Sequence, residues 1–277
     1  MIAIVTDSSA YFTKDEAVKL GITVVPIQYT VNGQSYMESY SDKNGDFETI
    51  LKGKATTSQP KAGAFLSCFE EEITKKNQVL CITISSRLSG TYSAAYMAAK
   101  RVESDDIVVF DSHLTAGGLY LLIIEAKKLI DKGLSLGEII KQLPAIRDRI
   151  TIAFTVDDLS PLRKSGRLNY VRMSVSTILN IKPILLCKDG VVVFDSLAHG
   201  SIDIIKKLTA KVTGNVTDIV VNYLQNQSIA ANLYNILCSK YPDVNIKLRK
   251  LGPILGIHLG LQVAAVSFLS KEELSTG

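Results

Sequence analysis

At 277 residues the chain exceeds the roughly 100 to 200 residues of one usual core and is expected to form two domains, residues 1–150 and 151–277. Hydrophobic residues make up 47% of it, aromatics only 7%, and Trp is absent, so the apolar content is aliphatic and fits α/β layers, an ordinary large core or the lining of an alkyl tunnel alike. The net charge of +4 is spread along the chain with no dense Lys/Arg block among aromatics, which argues against a nucleic-acid partner.

In chain order, Ile2 to Thr6 reads as a strand and Thr13 opens a helix, since Thr13 and Glu16 have the spacing of a capping box. Ile22 to Val31 reads as the next strand, ending at an Asn32-Gly33 hairpin turn. A helix is expected from Pro60 to about Lys76, with Thr57 and Ser58 at its cap. Strands at Val79–Ile84 and Ile107–Phe110 alternate with helices, one of them Ala-rich and running to Arg101. That rhythm predicts a mostly parallel first sheet with flanking helices. Helices over about His113–Lys132 and Ser135–Arg149, separated by Gly133, close the first half.

The second half opens with a strand at Thr151–Val156. A loop with Pro161 and Gly166 follows, then an amphipathic helix ending near Asn180. Pro183–Cys187 and Val191–Asp195 flank Asp189-Gly190, a hairpin signal that makes the second sheet mixed. Helices from Ser201 and Ser228 and strands at Asp218–Leu224 and Val244–Leu248 precede the apolar run Ile254–Leu269. That run is broken by His258 and glycines and is shorter than the roughly 20 residues of a membrane span. The opening MIAIVTDSSA has no basic segment and reaches Asp7 at once, so a cytoplasmic protein is expected. Cys68, Cys81, Cys187 and Cys238 lack CxxC spacing and nearby His ligands, which predicts buried reduced thiols and no metal.

The chain has no GxGxxG, GxxxxGK[ST], GxSxG or HExxH motif and only three histidines, so self-contained catalysis has no sequence support. Hydroxyl residues cluster instead at junctions, where backbone N–H groups favour an anion. Thr57 and Ser58 form one such place, with a plain helix cap as the alternative. Ser89, Gly90 and Thr91 form another, in which Gly90 permits close approach and Ser89 donates to a carboxylate or caps the next helix. His258, framed by Gly252, Gly256 and Gly260, is either a satisfied core residue or a donor beside an apolar surface. The basic loop from Arg163 to Leu168, with Arg167, suits a phosphate or an acidic partner, or is a solvated turn.

Together, IVTDSS, TSQP at Thr57, SSRLSGTYSAA from Ser85, LRKSGRL from Leu162 and GPILGIHLG from Gly252 resemble the DegV family, the bacterial fatty-acid-binding subunits of fatty acid kinase. The resemblance runs in family order over nearly the whole chain. It implies a two-domain α/β protein that encloses one long-chain fatty acid such as palmitate, stearate or oleate, with the carboxylate at the domain junction. A separate ATP-binding kinase subunit would phosphorylate that carboxylate, and an acyltransferase would use the acyl phosphate in phospholipid synthesis. No cofactor is implied beyond the bound fatty acid, and transient contact with a membrane is left open. By motif position Thr57 and Ser89 would hydrogen-bond the carboxylate, His258 would be the further polar contact, and Arg167 would lie near the head group or the kinase surface.

Two places depart from the family pattern. After the His the family carries Gly-Pro-Gly where this chain has Gly260, Leu261 and Gln262, and a family Arg after the second-half hairpin is replaced by the stretch containing His199. Two other readings stay open: an esterase with Ser89 or Ser58 as nucleophile, for which neither motif supplies a base, and a regulatory protein that holds another acidic amphiphile.

Overall fold

A computed structural model describes residues 1–168 and 180–272. The amphipathic helix expected before Asn180 falls on residues 169–179, outside the described residues.

The first strand, β1 (Ile2–Asp7), runs into a single 3₁₀ turn at Ser8–Ala10 and then α1 (Lys14–Leu20). Thr13 and Glu16 form the capping box that their spacing predicts, with Glu16 N donating to Thr13 Oγ1 at 3.1 Å and Thr13 N donating to Glu16 Oε2 at 3.1 Å. The stretch read as one strand from Ile22 to Val31 is two: β2 (Ile22–Val25) and β3 (Ile27–Val31). Pro26 divides them because it has no N–H to continue a ladder. While β2 stays in the parallel sheet, β3 leaves it to pair with β4 (Gln34–Glu38) and β5 (Ala55–Ser58), with a short helix, α2 (Phe47–Ile50), between those two. This antiparallel sheet, in the order β4-β3-β5, was not anticipated; its hairpin turn at Asn32-Gly33 was, and both turn residues have positive φ (50° and 84°).

Helix α3 (Ala62–Thr74), strand β6 (Gln78–Thr83), helix α4 (Thr91–Val102) and strand β7 (Ile107–Asp111) complete a four-stranded parallel sheet in the order β2-β1-β6-β7. Next come α5 (Ala116–Asp131) and α6 (Leu136–Asp148), the latter opened by a Ser135–Glu138 capping box. Helix α5 starts three residues later than expected, since His113 has a φ of 54° and Thr115 is extended (φ −153°, ψ 171°), so neither belongs to a helical turn.

Strand β8 (Ile150–Thr155), helix α7 (Ser160–Lys164) and the hairpin β9 (Ile181–Lys188) and β10 (Val191–His199) follow. Then come α8 (Gly200–Lys211), β11 (Val216–Tyr223), α9 (Gln227–Lys240), β12 (Asn245–Lys250), α10 (Pro253–Leu259) and β13 (Ala264–Ser270). The second sheet is mixed, as its hairpin signal implied, in the order β10-β9-β8-β13-β11-β12. The apolar run from Ile254 is therefore a short helix and a central strand. Among the described residues no helix is long and apolar enough to cross a membrane. The four cysteines are free, but only Cys81 is fully buried; the other three are partly covered.

Helix α5 lies between the two large sheets. Its Leu119, Leu122 and Ile123 are fully buried in the largest core cluster, which draws on β1, β6, β8, β13 and α10. Each such side chain stabilises the fold by about 1.5–3 kcal/mol. The core is thus shared across position 150, and the space it leaves opens against α5, β8 and α10.

Candidate functional site

That space is a cavity of about 410 Å³, within the ~300–1,000 Å³ typical of small-molecule pockets. Its walls are mostly aliphatic, with Ile27, Ile84, Ile152, Val192 and Ile254 among them, and its polar groups are few. Thr57, Ser58, Gln59, Ser89, Gly90, Arg167 and His258 all line it, so residues more than 200 positions apart in sequence converge on one pocket.

Thr57 and Ser58 do not cap a helix. They lie on β5, where Thr57 pairs with Tyr29 and Ser58 with Gln28, and α3 begins only at Ala62, after Lys61. Thr56 and Thr57 are β-branched and fit the pleat, which outweighed the capping preference of Ser58. Thr57 Oγ1 stands 2.7 Å from His258 Nε2 on α10, whose first turn holds Pro253. Burial first, and the nearby Arg167 guanidinium second, push His258 down to about 4, so its ring is neutral at pH 7. A neutral ring has one N–H and one bare nitrogen. With the proton on Nε2 it donates to Thr57 and frees the Thr57 hydroxyl proton for a ligand; Nδ1 is buried without a protein partner.

Ser89 is backed in the same manner. Its Oγ lies 2.8 Å from Thr91 Oγ1 and accepts from Thr91 N at 3.3 Å. Thr91 is fully buried, and when its hydroxyl donates to Ser89, the Ser89 proton points onward. Gly90 makes room for a neighbour: a Cβ on it would land on the Gln59 side-chain oxygen. Gln59 thereby occupies the room that Gly90 leaves. It sits inside the TSQP stretch, yet no capping or spacing rule marks it as a cavity residue.

Arg167 donates from Nε to the Leu88 carbonyl at 3.1 Å and from Nη1 to the Ser165 carbonyl, so it also braces the loop that holds Ser89. Arg163 lies on the exposed side of α7, and neither it nor His199 lines the cavity. His199 is exposed at the end of β10, with its N–H donating to Asp203. Leu261 and Gln262 are also absent from the lining: Leu261 packs near Gly256 and its carbonyl accepts from Gln225 N at 2.8 Å, while the Gln262 amide donates to the Gln225 side chain. Among the described residues no group of three or more His, Cys, Asp and Glu side chains is placed to hold a metal ion.

The wall of this aliphatic cavity holds two hydroxyls, each within hydrogen-bond distance of a second polar group, a neutral imidazole and one guanidinium. It is suited to an anionic group attached to an apolar body.

Comparison with known proteins agrees in fold and family. A family model described as "Uncharacterised protein, DegV family" matches residues 1–271. Protein DegV of Bacillus subtilis is 33% identical over 275 residues, covering 94% of this chain and 95% of that protein, and a DegV domain-containing protein of Halalkalibacterium halodurans is 32% identical over 271 residues with the same coverage. The crystal structure of B. subtilis DegV, described as a fatty acid binding protein, matches with a TM-score of 0.84 at 28% identity and covers 98% of this chain and 99% of its own. A Thermus thermophilus DegV family protein, described by its fatty acid binding, matches with a TM-score of 0.86 at 27% identity, covering 98% and 99%. A family model spanning nearly the whole chain and relatives above 30% identity over nearly their full length place this chain in the DegV family.

Proposed function

We propose that the chain binds one long-chain fatty acid, such as palmitate, stearate or oleate, with its alkyl chain in the aliphatic cavity and its carboxylate held by Thr57 and Ser89, with His258 behind Thr57. The observation that carries this reading is that Thr57, Ser89 and His258 line one cavity, with Thr57 paired to His258 and Ser89 to Thr91. With His258 Nε2–H and the Thr91 hydroxyl as the donors of these pairs, the Thr57 and Ser89 hydroxyl protons are left for a ligand. A buried carboxylate needs such donors, because an unpaired charge away from water is costly. The fatty acid binding described for the B. subtilis and T. thermophilus relatives supports the same ligand class.

In this reading the protein does no chemistry alone. It presents the carboxylate, in the cytoplasm, to a separate ATP-binding kinase subunit, where a carboxylate oxygen attacks the γ-phosphorus and ADP leaves, giving an acyl phosphate for an acyltransferase. Hydroxyl donors leave that oxygen nucleophilic, whereas a bidentate Arg would hold both oxygens. Arg163, Arg167 and His199 are assigned to the phosphate or to the partner surface, and residues 1–150 and 151–277 to two lobes that share the cavity. An esterase reading is less well supported, since Ser89 is bonded to Thr91 and His258 to Thr57, which leaves Ser89 without a base among its hydrogen-bond partners.

Lipid extraction and mass spectrometry of the purified protein test the ligand: a long-chain fatty acid is expected, and absence of any acyl chain together with no uptake of labelled fatty acid sinks the carrier reading. With a cognate kinase and ATP, Ser89→Ala should keep the fold and lower acyl phosphate formation. Unchanged turnover removes Ser89 from the site, and ester hydrolysis by wild-type protein alone, lost in this variant, favours the esterase.

A further inference from the structure

The IVTDSS stretch lies outside the cavity wall, yet it holds an unusual concentration of buried polar groups. Asp7 and Glu38 have no exposed surface and Ser8 is 1% exposed. Ser8 Oγ donates to Glu38 Oε1 at 3.0 Å, which joins β1 to the end of β4. Burial pushes both carboxyls upward, Glu38 to about 8. Two carboxyl groups in a dry interior cost free energy that aliphatic side chains of similar size would not, so their presence calls for a role other than bulk stability.

Their hydrogen bonds indicate that role. Asp7 Oδ2 accepts from Ile84 N at 2.7 Å, Ser8 Oγ accepts from Ile27 N at 3.3 Å, and Glu38 Oε2 accepts from Ile254 N at 3.0 Å. All three isoleucines line the cavity. Each also lies on the segment that carries one of the three polar residues of the site or, for Thr57, on the strand that pairs with it. Ile84 leads into the loop to Ser89, Ile27 opens β3, whose Tyr29 pairs with Thr57, and Ile254 lies one helical turn before His258 on α10. Tyr11 adds a fourth tie by accepting from Leu255 N at 3.4 Å. Gly252 completes the fit, for a Cβ there would strike Glu38 Oε2.

We infer that the buried Asp7–Ser8–Glu38 network is the positioning device of the head-group site, fixing Ser89, Thr57 and His258 relative to one another by gripping the backbone of the Ser89 loop, of α10 and of β3, the strand against which Thr57 pairs. This rests on the reading that the site receives a carboxylate. Packing alone lets a short helix or a loop slide by fractions of an ångström; a hydrogen bond to a specific N–H has a preferred length and direction and resists this. None of the three residues touches a ligand in this scheme. They act through the groups they hold.

The test compares palmitate with hexadecanol, which has the same chain without the carboxylate, for the wild type and for Ser8→Ala, Glu38→Ala and Glu38→Gln. The wild type should prefer the acid. Ser8→Ala and Glu38→Ala should cut the acid-over-alcohol preference about tenfold, the worth of roughly one well-placed hydrogen bond, while alcohol affinity stays nearly constant. Glu38→Gln keeps an acceptor for Ile254 N and should restore most of the preference. An unchanged preference in both alanine variants, or acid and alcohol affinities falling together, overturns the inference, because a merely structural role moves both ligands equally. Should Glu38→Ala not fold, Ser8→Ala, which removes one hydroxyl, decides. A wild type that binds no fatty acid overturns the proposed function and the site with it; a wild type that prefers the acid while the variants match it overturns the network alone.

Discussion

Gln59 and Gly90 compete for one volume, since the glutamine amide fills the place where a β-carbon on residue 90 would sit. Gly90→Ala should therefore displace the Gln59 side chain without unfolding the protein, because φ at Gly90 is −71° and any residue adopts it. The expected outcome is a change in thermal stability within about 1 kcal/mol and roughly tenfold weaker fatty acid binding. Adding Gln59→Ala should recover much of the affinity, a coupling that a double-mutant cycle by calorimetry would measure. Thr57→Val is the complementary test. It keeps the shape of the side chain but removes the hydroxyl and leaves His258 Nε2 without its partner, at a cost of about 1–3 kcal/mol in ligand affinity. Thr57→Ser, which keeps the hydroxyl, should retain most of the binding in the same titration.

The elements bring these residues together through contacts that local sequence shows only in part. Asp189-Gly190 reads as a hairpin turn, and the turn forms with φ of 50° and 78°. Nothing in the local sequence says that its tip docks on the Ser89 loop, where Ser85 Oγ donates to the Gly190 carbonyl at 2.8 Å and Arg87 Nη1 donates to the Asp189 carbonyl at 2.8 Å. A Cβ at Gly190 would meet Ser85 Oγ at 2.5 Å in addition to the strained φ. Gly190→Ala should lower stability by about 1–3 kcal/mol in chemical denaturation and weaken ligand binding through Ser89. The same contrast runs through the whole reading. The capping box at Thr13, the parallel and mixed sheets and the hydroxyl-rich junctions follow from short spacings, and were legible. The split at Pro26 was legible in principle, since proline removes a ladder donor, but the destination of β3 in a third sheet depends on β5, far along the chain. Thr57 and Ser58 are expected at a helix cap but line the cavity from a strand, because β-branching and strand pairing override a capping preference. Glu38 gave no signal at all: within MESY it resembles an exposed hairpin residue, and only tertiary packing buries it against α10.

Across the whole molecule, two groups with shifted pKa values should shape the dependence of stability on pH, and they act with opposite sign. His258 is held near 4, below its usual 6.5, so the unfolded chain takes up a proton that the folded chain refuses; stability is lost as pH falls from about 6.5 to 4. Glu38 is held near 8, above its usual 4.5, so the folded chain keeps a proton that the unfolded chain releases, and stability is lost as pH rises from about 4.5 to 8. The raised carboxyl of Asp7 acts in the same direction as Glu38. Glu16 has the reverse shift: burial raises its pKa, but the Arg249 hydrogen bond and charge overcome this and bring it to about 2, so its contribution is lost only below pH 4.5. Between pH 4.5 and 6.5 the His258 and Glu38 slopes oppose one another. Above 6.5 the histidine no longer contributes a slope, and the buried carboxyl acts without it. The unfolding free energy should therefore fall by about 1–2 kcal/mol between pH 6.5 and 8, where most proteins are nearly flat. Thermal and denaturant unfolding of the wild type, Glu38→Gln and His258→Asn from pH 4 to 9 would resolve this. Glu38→Gln should flatten the alkaline limb and leave the acid limb in place, and His258→Asn should do the converse. An alkaline limb that survives in Glu38→Gln would transfer the effect to Asp7, the remaining raised carboxyl in the network.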